Sequence, residues 1–174
     1  MTAKEFLNAV VHGRTDVIQL LLGVLDEAGA AYCVIGGLAV NAYAEPVVSL
    51  DLDVVVATDR VDEVSAAAAA RGLKVESHPH SVNLKSPGSD LRIQLQTDPR
   101  YQAFIPRAER REVLGYELPV ATVEDVLQGK LWAYQDGSRR PSKRQKDLAD
   151  IARLVEFRPD LEVKLPDSVR KRLG

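Results

Sequence analysis

Cysteine is almost missing from this 174-residue chain: Cys33 is the only one, so no disulfide can form within it. Its place in the apolar stretch "AYCVIGG" fits a reducing compartment. No Gly-x-Ser-x-Gly elbow occurs, so serine and cysteine nucleophile chemistry has no setting here. Aromatic residues make up only 5% of the chain, and none interleaves with the basic residues as in a stacking platform for bases. Neither sign of charge is in excess: 23 Lys and Arg against 25 Asp and Glu give a net charge of −2. Any basic surface is therefore local. No apolar run approaches the roughly 20 residues that span a bilayer, and no signal-peptide core is present. The expected location is cytoplasmic, with no membrane partner. No repeat or low-complexity linker divides the chain, so one domain over residues 1–174 is expected, and a hydrophobic fraction of 45% can supply its core.

What is present reads as α/β (α+β), a mixed β-sheet flanked by helices. Residues 1–30 give N-terminal helices, 31–121 the sheet core and 122–174 C-terminal helices. "EFLNAVV" and "DVIQLLLGVLDEAGA" repeat apolar residues at helical spacing, and Gly29 ends the second. "AYCVIGG" is a short buried strand, "LAVNAYAE" a helical turn or two stopped by Pro46, and "LDLDVVVA" a second strand. "VDEVSAAAAARG" is a helix ended by Gly72. "LKVES" and "VNLKS" are strands around the turn-like "HPH". "DLRIQLQT" alternates strictly, with Leu91, Ile93 and Leu95 on one face. "PRYQAFIPRAERR" reads as a helix interrupted at Pro106, and "VLGYELPVA" as one strand. "TVEDVLQGKLWAYQD" opens on a Thr cap, "SKRQKDLADIARLVE" on a Ser cap, and "LPDSVRKRL" is a last short helix.

The chemistry concentrates in "IGGLAVNAYAEPVVSLDLDVVV", residues 35–56. Asp51 and Asp53, two apart on a strand, project from the same face. Neighbouring carboxylates raise each other's pKa unless a cation lies between them. A hard divalent ion such as Mg²⁺, held by few protein oxygens and by substrate phosphates, meets that need. Gly36 and Gly37 end the preceding strand and open a helix, where free backbone N–H groups let a phosphate approach. Taken singly, a glycine pair is a common turn and "DLD" a solvated strand entrance. Thirteen residues (38–50) between them bring the cradle and the acids together, the division of labour a nucleotide-using enzyme needs.

Further along, Val123, Val126, Leu127, Leu131 and Tyr134 form an apolar stripe with Lys130 inside it. Two readings of Lys130 stand: a lysine snorkelling at the stripe's edge, or an ammonium directed into a cleft to hold a triphosphate. In the next helix Asp147 lies close to the stripe of Leu148, Ile151, Leu154 and Val155. It either caps or pairs locally, or faces Lys130 or the nucleotide. Asp150 is farther around and reads as structural. "RRPSKRQK", residues 139–146, is a solvated face or a grip on triphosphate or RNA backbone through residues such as Lys143 and Arg144. His78 and His80 read as a polar turn. Trp132 falls opposite its helix's stripe, packing on the terminal helix or a partner.

The strand ending in Gly-Gly followed about a dozen residues on by Asp-x-Asp resembles the signature of the nucleotidyltransferase-fold superfamily. That superfamily includes DNA polymerase beta, antibiotic nucleotidyltransferases and the toxins of type IV abortive-infection toxin–antitoxin systems. "GGLAVNAYAEP…LDLD" looks most like the small toxin-like members, and the resemblance extends over residues 31–155. It implies a mixed sheet flanked by helices, an NTP donor, one or two Mg²⁺ ions, and transfer of a nucleoside monophosphate to an acceptor hydroxyl. The acceptor would be tRNA or another RNA, and a partner antitoxin protein is implied. The implied catalytic residues are Asp51, Asp53, Lys130 and Asp147, with the metal on Asp51 and Asp53. The nucleotide would lie against Gly36, Gly37, Lys130, Lys143 and Arg144.

At one position the pattern breaks. Superfamily members commonly carry a third carboxylate on a later strand, and here the aligned residue is Gln94, which cannot accept a proton usefully. Asp90 on the same strand, or Asp98 beyond it, is the candidate stand-in. Hence the alternatives: a catalytically degenerate module that binds a nucleotide or protein, or an enzyme acting on a small molecule such as an aminoglycoside.

Overall fold

The structure, a computed structural model, describes residues 2–10 and 16–174. Two helices lead, α1 (Ala3–Val10) and α2 (Val17–Glu27). The first predicted helical stretch runs on to residue 11, outside the described residues. Asp16 caps α2 by accepting from the Gln19 N–H at 3.0 Å, satisfying one of the amides a helix start leaves free. Then come β1 (Tyr32–Ile35), α3 (Gly36–Asn41), β2 (Asp51–Val56) and α4 (Val61–Ala70). β3 (Lys74–His78), β4 (Ser81–Lys85) and β5 (Arg92–Gln96) follow, then the short α5 (Phe104–Arg107). A hairpin of β6 (Glu109–Val113) and β7 (Tyr116–Val120) precedes α6 (Val123–Gln135), α7 (Pro141–Phe157) and α8 (Asp167–Arg170).

The seven strands form one mixed sheet in the order β3-β4-β5-β2-β1-β7-β6. β1 runs antiparallel to β2 and parallel to β7, and β2 runs parallel to β5. Val54, Val55 and Val56 of β2 and Cys33 and Val34 of β1 are all buried, as the middle of a two-sided sheet requires. Each large apolar side chain so buried contributes about 1.5–3 kcal/mol. The β3-β4-β5 half is different. There Val82, Leu84, Ile93 and Leu95 enter the core, where α4 packs on β3 and α2 on α4. The alternate side chains form polar rows across the strands, in register: Asp51, Arg92, Lys85 and Lys74 in one, Asp53, Gln94, Asn83 and Glu76 in the next. Among the described residues no helix is long and apolar enough to cross a membrane.

Three expectations are corrected here. "RAERREVLGYELPVA" is not a helix end and one strand but the β6–β7 hairpin, turning at Leu114 (φ 54°) and Gly115 (φ 81°). Two successive positive φ angles make the two-residue turn whose twist suits a hairpin. α7 begins at Pro141 without a side-chain cap, so Ser142 caps nothing. Proline at the first helical position lacks the N–H that would be orphaned there. Finally, Trp132 finds aromatic neighbours that its place opposite the stripe did not announce. Its ring stacks on Phe104 at 5.8 Å and meets Tyr101 edge-on at 5.1 Å.

Candidate active site

β1 delivers the chain to Gly36 with φ +73°, a left-handed conformation glycine adopts without strain. A Cβ there would stand 2.2 Å from Asp53 Oδ2, so the close approach of bend and carboxylate also demands glycine. Ile35, which opens α3, offers no side-chain cap, leaving the helix-start amides to other acceptors. Asp53 is the register partner of Ile35 on one side and of Gln94 on the other. Both cleft aspartates thus lie on one face of β2, Asp53 at the glycine bend beside the glutamine and Asp51 beside Arg92.

The cleft they open into has a volume of about 420 Å³. Its walls are the glycine bend, β2, the polar rows of β3–β5, and α6 with the first turns of α7. Asp51 is paired twice, with Arg92 Nε at 2.7 Å from Oδ1 and Lys143 Nζ at 3.3 Å from Oδ2. Asp53 has no ion-pair partner within 4 Å among the described residues. Burial holds its carboxyl above the ordinary aspartate range, with the nearby Lys130 ammonium pulling the other way and Asp51 adding to the rise. The sign for stability follows. The native protein binds this proton more tightly than the unfolded chain, so stability rises as pH falls into the raised range and is lost as pH climbs through it. Asp53→Asn is accordingly expected to raise the thermal midpoint of the metal-free protein at pH 7. It should also flatten the pH dependence just above the ordinary aspartate value. Differential scanning calorimetry across pH 4–8 reads both, and an unchanged midpoint contradicts the burial argument.

Lys130 projects into the interior, its side chain 9% exposed. Its ammonium pairs with Asp147 at 3.2 Å and Asp150 at 2.7 Å. Arg139, from the α6–α7 connection, donates to the other oxygen of Asp147. Arg153 donates to Asp150 at 2.8 Å and to the Asn41 amide oxygen at 2.8 Å, and Asn41 in turn bonds the Val47 backbone. A continuous ionic chain therefore runs from the α6–α7 connection through Lys130 to the end of α3 and the segment leading into β2. It fixes α7 against the glycine bend, with Asp150 Oδ2 3.9 Å from where a Cβ of Gly37 would be. Gly129 lets Tyr101 lie against α6, since a Cβ would meet its ring at 3.2 Å.

The structure brings Gly36, Gly37, Asp51, Asp53, Lys130, Lys143 and Asp147 into one cleft. Arg144 is elsewhere: its Nε donates to the Tyr134 carbonyl at 2.9 Å and its guanidinium covers the Tyr134 ring at 5.1 Å. Asp150, read from the sequence as structural, is the residue overlooked at Lys130. Asp90 precedes β5, and Asp98 is held by Arg100 at 3.0 Å. Neither takes the place of Gln94, whose register beside Asp53 is direct. Among the described residues no cluster of three or more His, Cys, Asp or Glu is arranged around a common metal position. Asp51 and Asp53 would thus supply two hard oxygen ligands, the remainder coming from phosphate and water, as suits Mg²⁺.

Such a sheet, with a glycine bend facing paired aspartates, is the nucleotidyltransferase fold, and solved structures share it. The antibiotic-resistance factor ANT(2")-Ia, in complex with adenylyl-2"-tobramycin, superposes with a TM-score of 0.66 and 16% identity over 90% of this chain and 94% of that one. The lincosamide antibiotic adenylyltransferase LnuA, lincomycin-bound, gives 0.56 and 13% over 82% and 99%. An antigenic nucleotidyltransferase-like protein from Paracoccidioides brasiliensis gives 0.51 and 18% over 98% and 94%. At these identities the likeness is one of fold. Residues 20–173 match the model of the AbiEii family, the nucleotidyl transferase AbiEii toxin of type IV toxin–antitoxin systems, and the chain belongs to that family. No curated protein sequence matches it as a relative.

Proposed function

We propose that this protein transfers a nucleoside monophosphate from an NTP to an acceptor hydroxyl on RNA, with Asp51 and Asp53 as the metal ligands. The observation that carries this is the Asp53 carboxylate set against the Gly36 bend, with Asp51 two residues away on the same strand and lining the same cleft. Bound there, Mg²⁺ supplies charge neutralisation and alignment of the α-phosphorus for in-line attack. The Gly36 and Gly37 amides receive the β- and γ-phosphates. The Lys130 ammonium, oriented by Asp147 and Asp150, neutralises the departing pyrophosphate. The acceptor oxygen bonds the α-phosphorus as the bond to pyrophosphate breaks, and the hydroxyl proton passes to solvent because Gln94 offers no base. A neighbouring antitoxin protein is the regulatory partner that fits the family.

Charge favours an anionic acceptor. Seven cationic side chains line the cleft against five acidic ones, reversing the balance of the whole chain. The row Arg92, Lys85, Lys74 leads from Asp51 to the sheet edge, over roughly 14 Å at about 4.8 Å per strand. An aminoglycoside, a polycation, would be repelled along it, whereas an RNA backbone releases counterions there. The test is incubation with labelled NTPs, Mg²⁺ and total tRNA, comparing wild type with Lys74→Gln/Lys85→Gln. The double variant is expected to label RNA about tenfold less, with a salt slope for RNA binding lower by about 1.4 for two lost contacts. Its Mg–NTP affinity should stay within about twofold. Label on a small molecule, or RNA labelling untouched by the substitutions, contradicts the acceptor assignment. Gln94 favours one other reading, a module that binds nucleotide or a partner protein without chemistry. Tight Mg–NTP binding with no transfer to any component of a lysate would select it.

A further inference from the structure

Asp51 raises a question that its role as a metal ligand leaves open: both of its oxygens are already taken by cations. Arg92 holds Oδ1 from the adjacent strand, fixed by the β2–β5 register. Lys143 holds Oδ2 from the first turn of α7, at the end of a four-carbon stem whose side chain is 36% exposed. The two cations differ in origin. Sheet pairing keeps the Arg92 backbone beside Asp51 wherever its 61% exposed side chain turns, while Lys143 reaches across from α7 on a stem that rotamer change can redirect. Lys143 and the glycine bend line the same cleft, where a triphosphate would lie, and an ammonium binds phosphate as a point charge.

We propose that Lys143 is a positioning residue that exchanges partners. It neutralises Asp51 in the nucleotide-free protein and moves to the triphosphate when Mg–NTP enters, freeing Oδ2 for the metal. This rests on the carboxylate-pair reading above and adds to it an order of events. Metal alone competes with Lys143 for Asp51 and binds weakly. Metal arriving with a polyphosphate meets a carboxylate that Lys143 has left, so the two ligands bind with positive coupling. The same lysine therefore opposes one ligand and favours the other. A purely structural Lys143 would move neither affinity, and a fixed cation would shift both while leaving the coupling between metal and tripolyphosphate unchanged; exchange alone makes that coupling fall when Lys143 is replaced.

The experiment is a titration of Mn²⁺, followed by the resonance of the free ion, with and without inorganic tripolyphosphate, on wild type, Lys143→Met and Lys146→Met. Tripolyphosphate makes the result independent of the base of the NTP. Lys143→Met is expected to bind Mn²⁺ alone roughly fivefold more tightly, as the loss of a partly exposed ion pair allows. It should bind tripolyphosphate roughly tenfold more weakly. Lys146→Met removes the same charge three residues along α7 without touching Asp51, so its Mn²⁺ affinity should change by less than about twofold. Lys143→Gln serves as a second neutral variant, and far-UV dichroism confirms that each is folded. Equal Mn²⁺ affinity in wild type and both Lys143 variants overturns the exchange while leaving Asp51 and Asp53 as ligands. Absence of Mn²⁺ binding from every protein, with or without tripolyphosphate, overturns the carboxylate-pair reading and the exchange with it.

Discussion

Replacing both cleft aspartates, Asp51→Asn with Asp53→Asn, is expected to abolish Mg²⁺-dependent NTP binding while the domain stays folded. An asparagine keeps the shape of aspartate and one oxygen acceptor, so packing at the glycine bend is preserved. The lost quantity is charge. A divalent ion facing two amides has no anionic ligand from the protein, and affinity should fall by at least roughly 100-fold. Folding should survive because Asp53 is a liability in the metal-free protein, its carboxyl held in the protonated direction by burial. Sites that carry function commonly cost stability in this way. Isothermal titration of Mg–NTP, alongside thermal unfolding, separates the two effects. Calorimetric affinity equal to wild type would end the assignment of these residues as metal ligands.

Lys130→Met carries the largest expected stability cost of any single replacement in the cleft. The methionine fits the volume, but Asp147 and Asp150, 1% and 4% exposed, lose the ammonium between them. Removing one partner of a buried pair costs about 3–5 kcal/mol when the remaining charge is stranded. Here Arg139 and Arg153 still serve the two carboxylates, which moderates the loss. The expected cost is about 2–4 kcal/mol, a fall of roughly 4–16 °C in the thermal midpoint for a chain of this size. Adding Asp150→Asn to Lys130→Met should recover part of it, because one stranded charge is then gone. A single variant as stable as wild type would mean that the ionic chain is not what fixes α7 to the glycine bend.

The parts of this arrangement differ in how plainly the sequence announces them. β1, the glycine pair and β2 were legible because they are buried, apolar and punctuated, so local pattern and tertiary role agree. β6 was not: Glu109, Arg110, Arg111 and Glu112 have no apolar alternation, since this strand lies at the sheet edge with most of its side chains exposed. The available cue was Leu114-Gly115 between two short runs, a hairpin signal outweighed by the charged stretch before it. Asp150 escaped for a different reason. Asp147 and Asp150 lie 60° apart around α7, and only the packing of α7 on both α6 and α3 turns that arc inward, so that both meet Lys130. Arg144 was drawn toward the cleft by its charged neighbours, whereas its position on α7 points it at the Tyr134 carbonyl and ring. Gln94 shows the opposite case: strict alternation along β5 gave its face, and the position aligned with the superfamily's third carboxylate is the one the register sets beside Asp53.

The most direct measurement is a crystal structure of the protein with Mg²⁺ and a non-hydrolysable NTP. The account predicts metal density between the Asp51 and Asp53 carboxylates, phosphates against the Gly36–Gly37 amides, and the Lys143 ammonium moved onto the triphosphate. Nucleotide bound with no metal on either aspartate, or phosphates lying away from the glycine bend, would contradict it.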